Sequence, residues 1–258
     1  MKNFLCGSGW KMYLTCEETA KRIKQLQNNL KDFHDFRVVV FPSFTTLSDA
    51  NKSLDPNSCV HIGGQDMFWE KEGAYTGEIS AKMLLDVGCE YVEINHQERR
   101  RFLHETDEMA NKKLKCALST SLVPFLCVGE EKKEDAASVK NFLSHQIKNL
   151  LSGIEKKDAQ RIVFAYEPMW AIGKYEATDP KYIQTTHKII RDIIAELYDQ
   201  TLADNAYIIY GGGVNHETFL DLVALPDVNG LFTTGCGIVP DVFADVILRS
   251  AEYLRNQE

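Results

Sequence analysis

No run of apolar residues in this chain approaches the ~18 that cross a bilayer, so a soluble protein is expected. Its opening, MKNFLCGSGW, has one lysine and an apolar stretch too short for a signal peptide. No C-x-x-C pair occurs among the seven cysteines, Cys6, Cys16, Cys59, Cys89, Cys116, Cys127 and Cys236. Their odd number and scatter point to reduced thiols in the cytoplasm and away from a disulfide framework or a zinc site. Basic residues do not dominate: 29 Lys and Arg stand against 37 Asp and Glu, a net charge of -8. Nucleic acid is therefore not an expected partner, and the short patch Arg99 to Arg101 does not reverse that. Nor does a Pro/Gly/Ser linker or low-complexity segment divide the chain, which reads as one domain over 1–258.

Several catalytic signatures are also missing. GSGWKM carries Met12 where a dinucleotide fingerprint needs its third glycine, and neither G-x-S-x-G nor H-E-x-x-H occurs. Glu93 and His96 have E-x-x-H spacing, but at the end of a strand-like run and not on a helix. No metal centre is expected.

What is present is a regular alternation. Short apolar runs fall at 3–10, 37–42, 59–64, 91–95, 122–128, 161–167, 206–212 and 228–234. Amphipathic segments lie between them at 16–31, 45–52, 79–87, 106–119, 135–154, 179–200, 215–224 and 240–256. In 179–200, Tyr182, Ile183, Ile189, Ile190, Ile193, Ile194 and Leu197 form a stripe near the helical period, with Asp179 and Pro180 as cap and first position. Continuously apolar strands alternating with helices indicate a parallel sheet covered by helices. Eight units of about 32 residues fit an α/β protein built as a single closed (β/α)8 TIM barrel.

Chemistry in such a barrel sits at the carboxyl ends of the strands. The polar residues there are Gly9, Lys11, Gln65, Asn95 to Glu98, Cys127 to Glu130, Glu167, Gly211 to Gly213 and Thr233 to Gly237. A carboxylate ending a buried strand, as Glu167 does, is either a helix cap or a base whose affinity for protons burial has raised. The apolar tip after Pro168, closing on Gly173, is how a water-excluding lid would be written. His96 is either a structural histidine or a ring kept neutral by the start of a helical turn in QERRRF, able to donate to a carbonyl. Lys11 either snorkels at the rim or supplies fixed charge for an anionic oxygen. The glycine clusters 210–213 and 233–237 leave backbone N–H groups open to a phosphate.

Taken in order, WKM (10–12), QDMFWEKEGAYTGEIS (65–80), HQERR (96–100), CVGE (127–130), AYEPMWAIG (165–173) and YGGGV (210–214) resemble the triosephosphate isomerase family through essentially the whole chain. The resemblance implies an isomerase of glycolysis and gluconeogenesis that needs no cofactor. Glu167 would be the base moving a proton between adjacent carbons, His96 the neutral electrophile and Lys11 the electrostatic partner. Gly9, Gly173, Gly213, Thr234 and Gly235 would border the substrate, and residues 168–176 would form the lid. Glu98 would pair with Lys11, Cys127 would pack behind Glu167, and Gln97 would be a further supporting residue. By the same analogy, the 65–80 loop would enter a second subunit, with Thr76 reaching its site, in a homodimer.

The chain departs from the family at the mouth: Gly9 stands for asparagine, Asn95 for glycine, Gln97 for serine, Gly213 for serine, Thr234 for glycine, and the lid looks one residue short. Strict alternation would turn Ile94 inward with His96, and Glu93 and Asn95 outward. Gly9 would then leave extra room beside the reacting carbons. The leading expectation is interconversion of glyceraldehyde 3-phosphate and dihydroxyacetone phosphate. A four-carbon ketose phosphate is the alternative substrate, and a catalytically silent phosphosugar-binding barrel the alternative of a different class.

Overall fold

A computed structural model of the chain describes residues 2–173 and 179–257. Its strands are β1 (Leu5–Gly9), β2 (Arg37–Phe41), β3 (Val60–Gly64), β4 (Tyr91–Ile94), β5 (Val123–Val128), β6 (Val163–Tyr166), β7 (Tyr207–Tyr210) and β8 (Gly230–Phe232). Each pairs in parallel with the next and β8 returns to β1, closing a (β/α)8 barrel in sequence order. Around it run α1 (Cys16–Asn29), α2 (Leu47–Ser53), α3 (Ala81–Asp86), α4 (Gln97–Leu103), α5 (Asp107–Leu118), α6 (Ala136–Leu150), α7 (Lys156–Ala159), α8 (Pro180–Leu197), α9 (Gln200–Asn205), α10 (Phe219–Val223) and α11 (Pro240–Arg255).

The strands are apolar without interruption because both of their faces are covered. In β2, Val38 and Val40 join the layer shared with the helices, while Val39 and Phe41 join a separate cluster inside the barrel. That inner cluster is aromatic. Phe41, Phe125 and Phe232 meet edge-on at 5.0–5.7 Å between ring centres, and Tyr91 stands 5.5 Å from Phe125. Gly63 makes room for them, since a Cβ there would sit 2.4 Å from the Phe41 ring. The rings plug the barrel beneath its mouth.

Helix ends depart from the pattern for local reasons. The Asp179 side chain caps α8, and Ile183, Ile190, Ile193 and Ile194 are buried beneath it. The expected 179–200 helix stops at Leu197, because Tyr198 leaves helical geometry and Asp199 caps a new helix, α9, by accepting from the Leu202 N–H. The expected 215–224 helix shrinks to α10, since the Asn215 side chain accepts from the Glu217 N–H and holds a turn ahead of it. The arginine segment after His96 becomes a full helix, α4. Arg99 and Lys113 share the buried carboxylates of Asp66 and Glu105, tying α4 and α5 to the loop after β3.

Candidate active site

Strand β4 ends at Ile94, and Asn95 then adopts a left-handed backbone with φ 69°. Its side chain holds that bend, its amide donating to the Cys127 carbonyl at 2.7 Å and its oxygen accepting from Arg100 at 2.7 Å. Asparagine tolerates this conformation because its short polar side chain can bond locally. The bend resets the alternation. Tyr91 lies in the inner cluster, Glu93 reaches the mouth, and Val92 and Ile94 join the outer layer, yet His96 also faces the mouth. The expectation that Glu93 points outward and Ile94 inward is thus overturned, while Asn95 sits buried beneath the site.

His96 occupies the cap position of α4, where its Nδ1 accepts from the Glu98 backbone N–H at 3.2 Å. A nitrogen that accepts carries no proton, so the ring proton resides on Nε2. That Nε2 stands 3.6 Å from Oε2 of Glu167. The Glu98 carboxylate, 3.7 Å from Nδ1, is too far for a hydrogen bond and turns instead to the Lys11 ammonium.

Glu167 follows β6 directly, its N–H donating to the Val128 carbonyl at 2.8 Å. The residue is 3% exposed, and its Oε2 has no hydrogen-bond partner among the described residues. Burial pushes its carboxyl above the usual range, while His96, Lys11 and the Cys127 thiol favour its charged form. Burial above all, then the Glu167 charge, hold that thiol protonated, so Cys127 donates to Glu167 from behind. Gly211 packs on the other side, where a Cβ would come within 2.7 Å of the Glu167 side chain.

Lys11 has a left-handed backbone, φ 48°, just beyond β1. Its carbonyl accepts from Ser43 and from Gln65, each at 2.9 Å, and Gln65 also bonds the Phe41 carbonyl. The loop is fixed, and the ammonium is held over the mouth by Glu98.

Gly9, Lys11, His96, Gln97, Glu98 and Glu167 line one cavity of about 1090 Å³. Gly173, Gly213, Thr234 and Gly235 line the same cavity. The Thr234 hydroxyl is already engaged, donating to the Gly9 carbonyl at 2.8 Å. Cys127 stands behind the wall, and Thr76 is exposed on a loop away from the cavity. The expected lid falls partly outside the described residues, which include 168–173 but not 174–176. A groove of about 1140 Å³ on the outer wall, by Trp69, Lys112 and Cys116, gathers no comparable group of base and ring. Among the described residues no cluster of three or more His, Cys, Asp or Glu is arranged to hold a metal.

Two acids gain roles that sequence reasoning did not assign. Glu93 is one. Glu130 is the other: its Oε1 accepts from Tyr166, Trp170 and Tyr182 at 2.8–2.9 Å, anchoring the turn Met169–Ala171 where the lid begins. The three scattered aromatic donors gave no local signal. Glu130→Ala strands the buried Tyr166 hydroxyl, so we expect a loss of about 1–3 kcal/mol in chemical denaturation and a raised KM.

A model of the family described as triosephosphate isomerase matches residues 4–250. The chain is 40% identical over 248 residues to the triosephosphate isomerase of Dictyoglomus turgidum, covering 96% of this chain and 99% of that protein. The protein of the same name from Thermoanaerobacter sp. is 41% identical over 249 residues, with 96% and 99% covered. That from Fusobacterium nucleatum is 38% identical over 249 residues, with 96% and 98% covered.

Proposed function

The chain belongs to the triosephosphate isomerase family and is an aldose–ketose phosphate isomerase, and on that premise we propose that Glu167, His96 and Lys11 interconvert glyceraldehyde 3-phosphate and dihydroxyacetone phosphate. The Glu167 carboxylate takes a proton from the carbon next to the carbonyl. The Nε2–H of His96 donates to the oxygens of the resulting enediolate, and the Lys11 ammonium offsets their charge. Glu167, now a carboxylic acid, returns its proton to the neighbouring carbon, while the sugar's hydroxyl proton passes from one oxygen to the other by way of the His96 Nε2, so the old carbonyl ends as a hydroxyl and the old hydroxyl as a carbonyl. The transferred proton begins and ends on the sugar, so the scheme calls on no cofactor or metal. The phosphate lies against the backbone of Gly173, Gly213 and Gly235, with Thr234 beside it. Gln97 and Glu98 support the ring and the ammonium.

The observation that carries this reading is the 3.6 Å separation of the His96 donor and the unpartnered Glu167 oxygen inside one cavity. A base and a donor converge where one small sugar can meet both. The named relatives favour the triose pair over a four-carbon ketose phosphate, and the retained base and electrophile disfavour a silent barrel. In D2O, the protein supplied with dihydroxyacetone phosphate is expected to yield glyceraldehyde 3-phosphate and to place deuterium on carbon, followed by NMR. Recovery of unlabelled, unconverted ketose would sink the reading.

The same premise supports a homodimer through the 65–80 loop, with Thr76 at the partner's cavity. Tyr75 on that loop is 44% exposed, and Met12, Tyr13, Phe102 and Leu103 form further uncovered apolar surface near the mouth. Cytoplasmic residence is the fitting compartment for seven cysteines that are all free.

A further inference from the structure

The scheme above leaves Glu93 unused. It lies 4% exposed on the inner face of β4, lining the same cavity as Glu167, and its Oε1 has no hydrogen-bond partner among the described residues. A carboxyl buried this deeply without a partner costs stability, so its presence needs a reason. Around it stand Phe232 from β8, the Glu167 carboxyl beyond β6, Lys11 beyond β1, Asp66 beyond β3, Glu98 on α4 and the Cys127 thiol on β5.

Gly9 and Glu93 are matched. A Cβ on residue 9 would stand 3.3 Å from Oε1 of Glu93 and 3.4 Å from the Phe232 ring, so any side chain there would crowd the acid. The room that Gly9 leaves is thus occupied by the head of Glu93, where the sequence alone implied a vacancy. The acid arrives on β4 instead of β1, and it arrives aimed at the cavity.

We propose that Glu93 touches the substrate as a neutral acid, donating its proton in a hydrogen bond to a carbonyl or hydroxyl oxygen at the reacting end of the sugar, and that Gly9 is glycine to give it that position. The inference rests on the isomerase reading of the site. Two carboxyls buried this deeply at one cavity cannot both be charged without strong repulsion, so the pair keeps a proton. Glu167 is the member that ionises first, because His96, Lys11 and the Cys127 thiol all favour its charge, whereas at Glu93 the help from Lys11 is opposed by Glu167, Glu98 and Asp66. Burial, then the Glu167 charge, push the Glu93 carboxyl well up, leaving an O–H in need of an acceptor. An enediolate oxygen supplies one. The contact strengthens as charge develops there, so its effect falls on kcat more than on KM.

The test compares Glu93→Gln, which keeps a neutral donor, with Glu93→Met, which keeps length and loses the hydrogen bond. Both are assayed for kcat and KM on the triose phosphates across pH, with folding checked by thermal melting. We expect Glu93→Met to lose about ten- to a hundredfold in kcat and Glu93→Gln several-fold less. We also expect the wild-type activity to fall at alkaline pH as Glu93 loses its proton, and Glu93→Gln to push that decline to higher pH. Unchanged kcat in Glu93→Met, or equal damage in both variants with an unmoved alkaline limb, would overturn the role of Glu93 alone. A wild type silent toward both trioses would overturn the reading of the whole site. If Glu93→Met fails to fold, the alkaline limb of Glu93→Gln decides.

Discussion

Replacing Glu167 with glutamine is expected to lower kcat by about 10³–10⁴-fold, with KM nearly unchanged and the fold intact. The amide keeps the shape of the carboxyl against Gly211 and Cys127 but has no basic oxygen for the carbon-bound proton. His96 and Lys11 remain to polarise the carbonyl, which accounts for the residual rate. Steady-state assay of both directions reads the loss, and activity within tenfold of wild type would remove Glu167 as the base. A second readout follows from burial. The native carboxyl binds its proton more tightly than in the unfolded chain, where its pKa is about 4.3. Wild type therefore loses stability as pH climbs from there through the raised native value, and the glutamine variant lacks that term. Its melting temperature relative to wild type should rise as pH climbs above the unfolded value and level off once pH has passed the raised native one.

Lys11→Met is expected to cost about 10²–10³-fold in kcat/KM, shared between a raised KM and a lowered kcat. The ammonium is the positive charge over the cavity that the scheme sets against both phosphate and enediolate. Its removal also leaves the Glu98 carboxylate facing an anionic substrate. Because the lost contact is one between charges, the dependence of kcat/KM on salt should flatten in the variant. A methionine enzyme with wild-type KM and unchanged salt response would show that Lys11 is a rim lysine only.

The barrel was readable from the chain because its signal is repeated. Eight apolar runs at even spacing, each followed by an amphipathic stripe, leave little choice of architecture, and the strand ends gathered Lys11, His96 and Glu167 without any coordinate. The orientation of single side chains was harder. Reading Glu93 correctly required knowing that Asn95 turns left-handed, a backbone state that asparagine permits but does not announce. Tyr91 and Glu93 share one face, as period two demands, yet His96 joins them by an odd step. Glu130 was visible as a polar strand end, but its partners Tyr166, Trp170 and Tyr182 lie 36 to 52 residues away, beyond any local pattern. The boundaries of α8 and α10 depended on Tyr198 and Asn215 acting through their own local bonds.

The interlocked rings of Phe41, Phe125, Phe232 and Tyr91 shut off the far end of the cylinder. Whatever enters must leave through the same doorway, so arrival and departure form a queue at a single opening. In the proposed scheme both sugars share the cavity above these rings, so each is expected to act as a competitive inhibitor of the other's conversion.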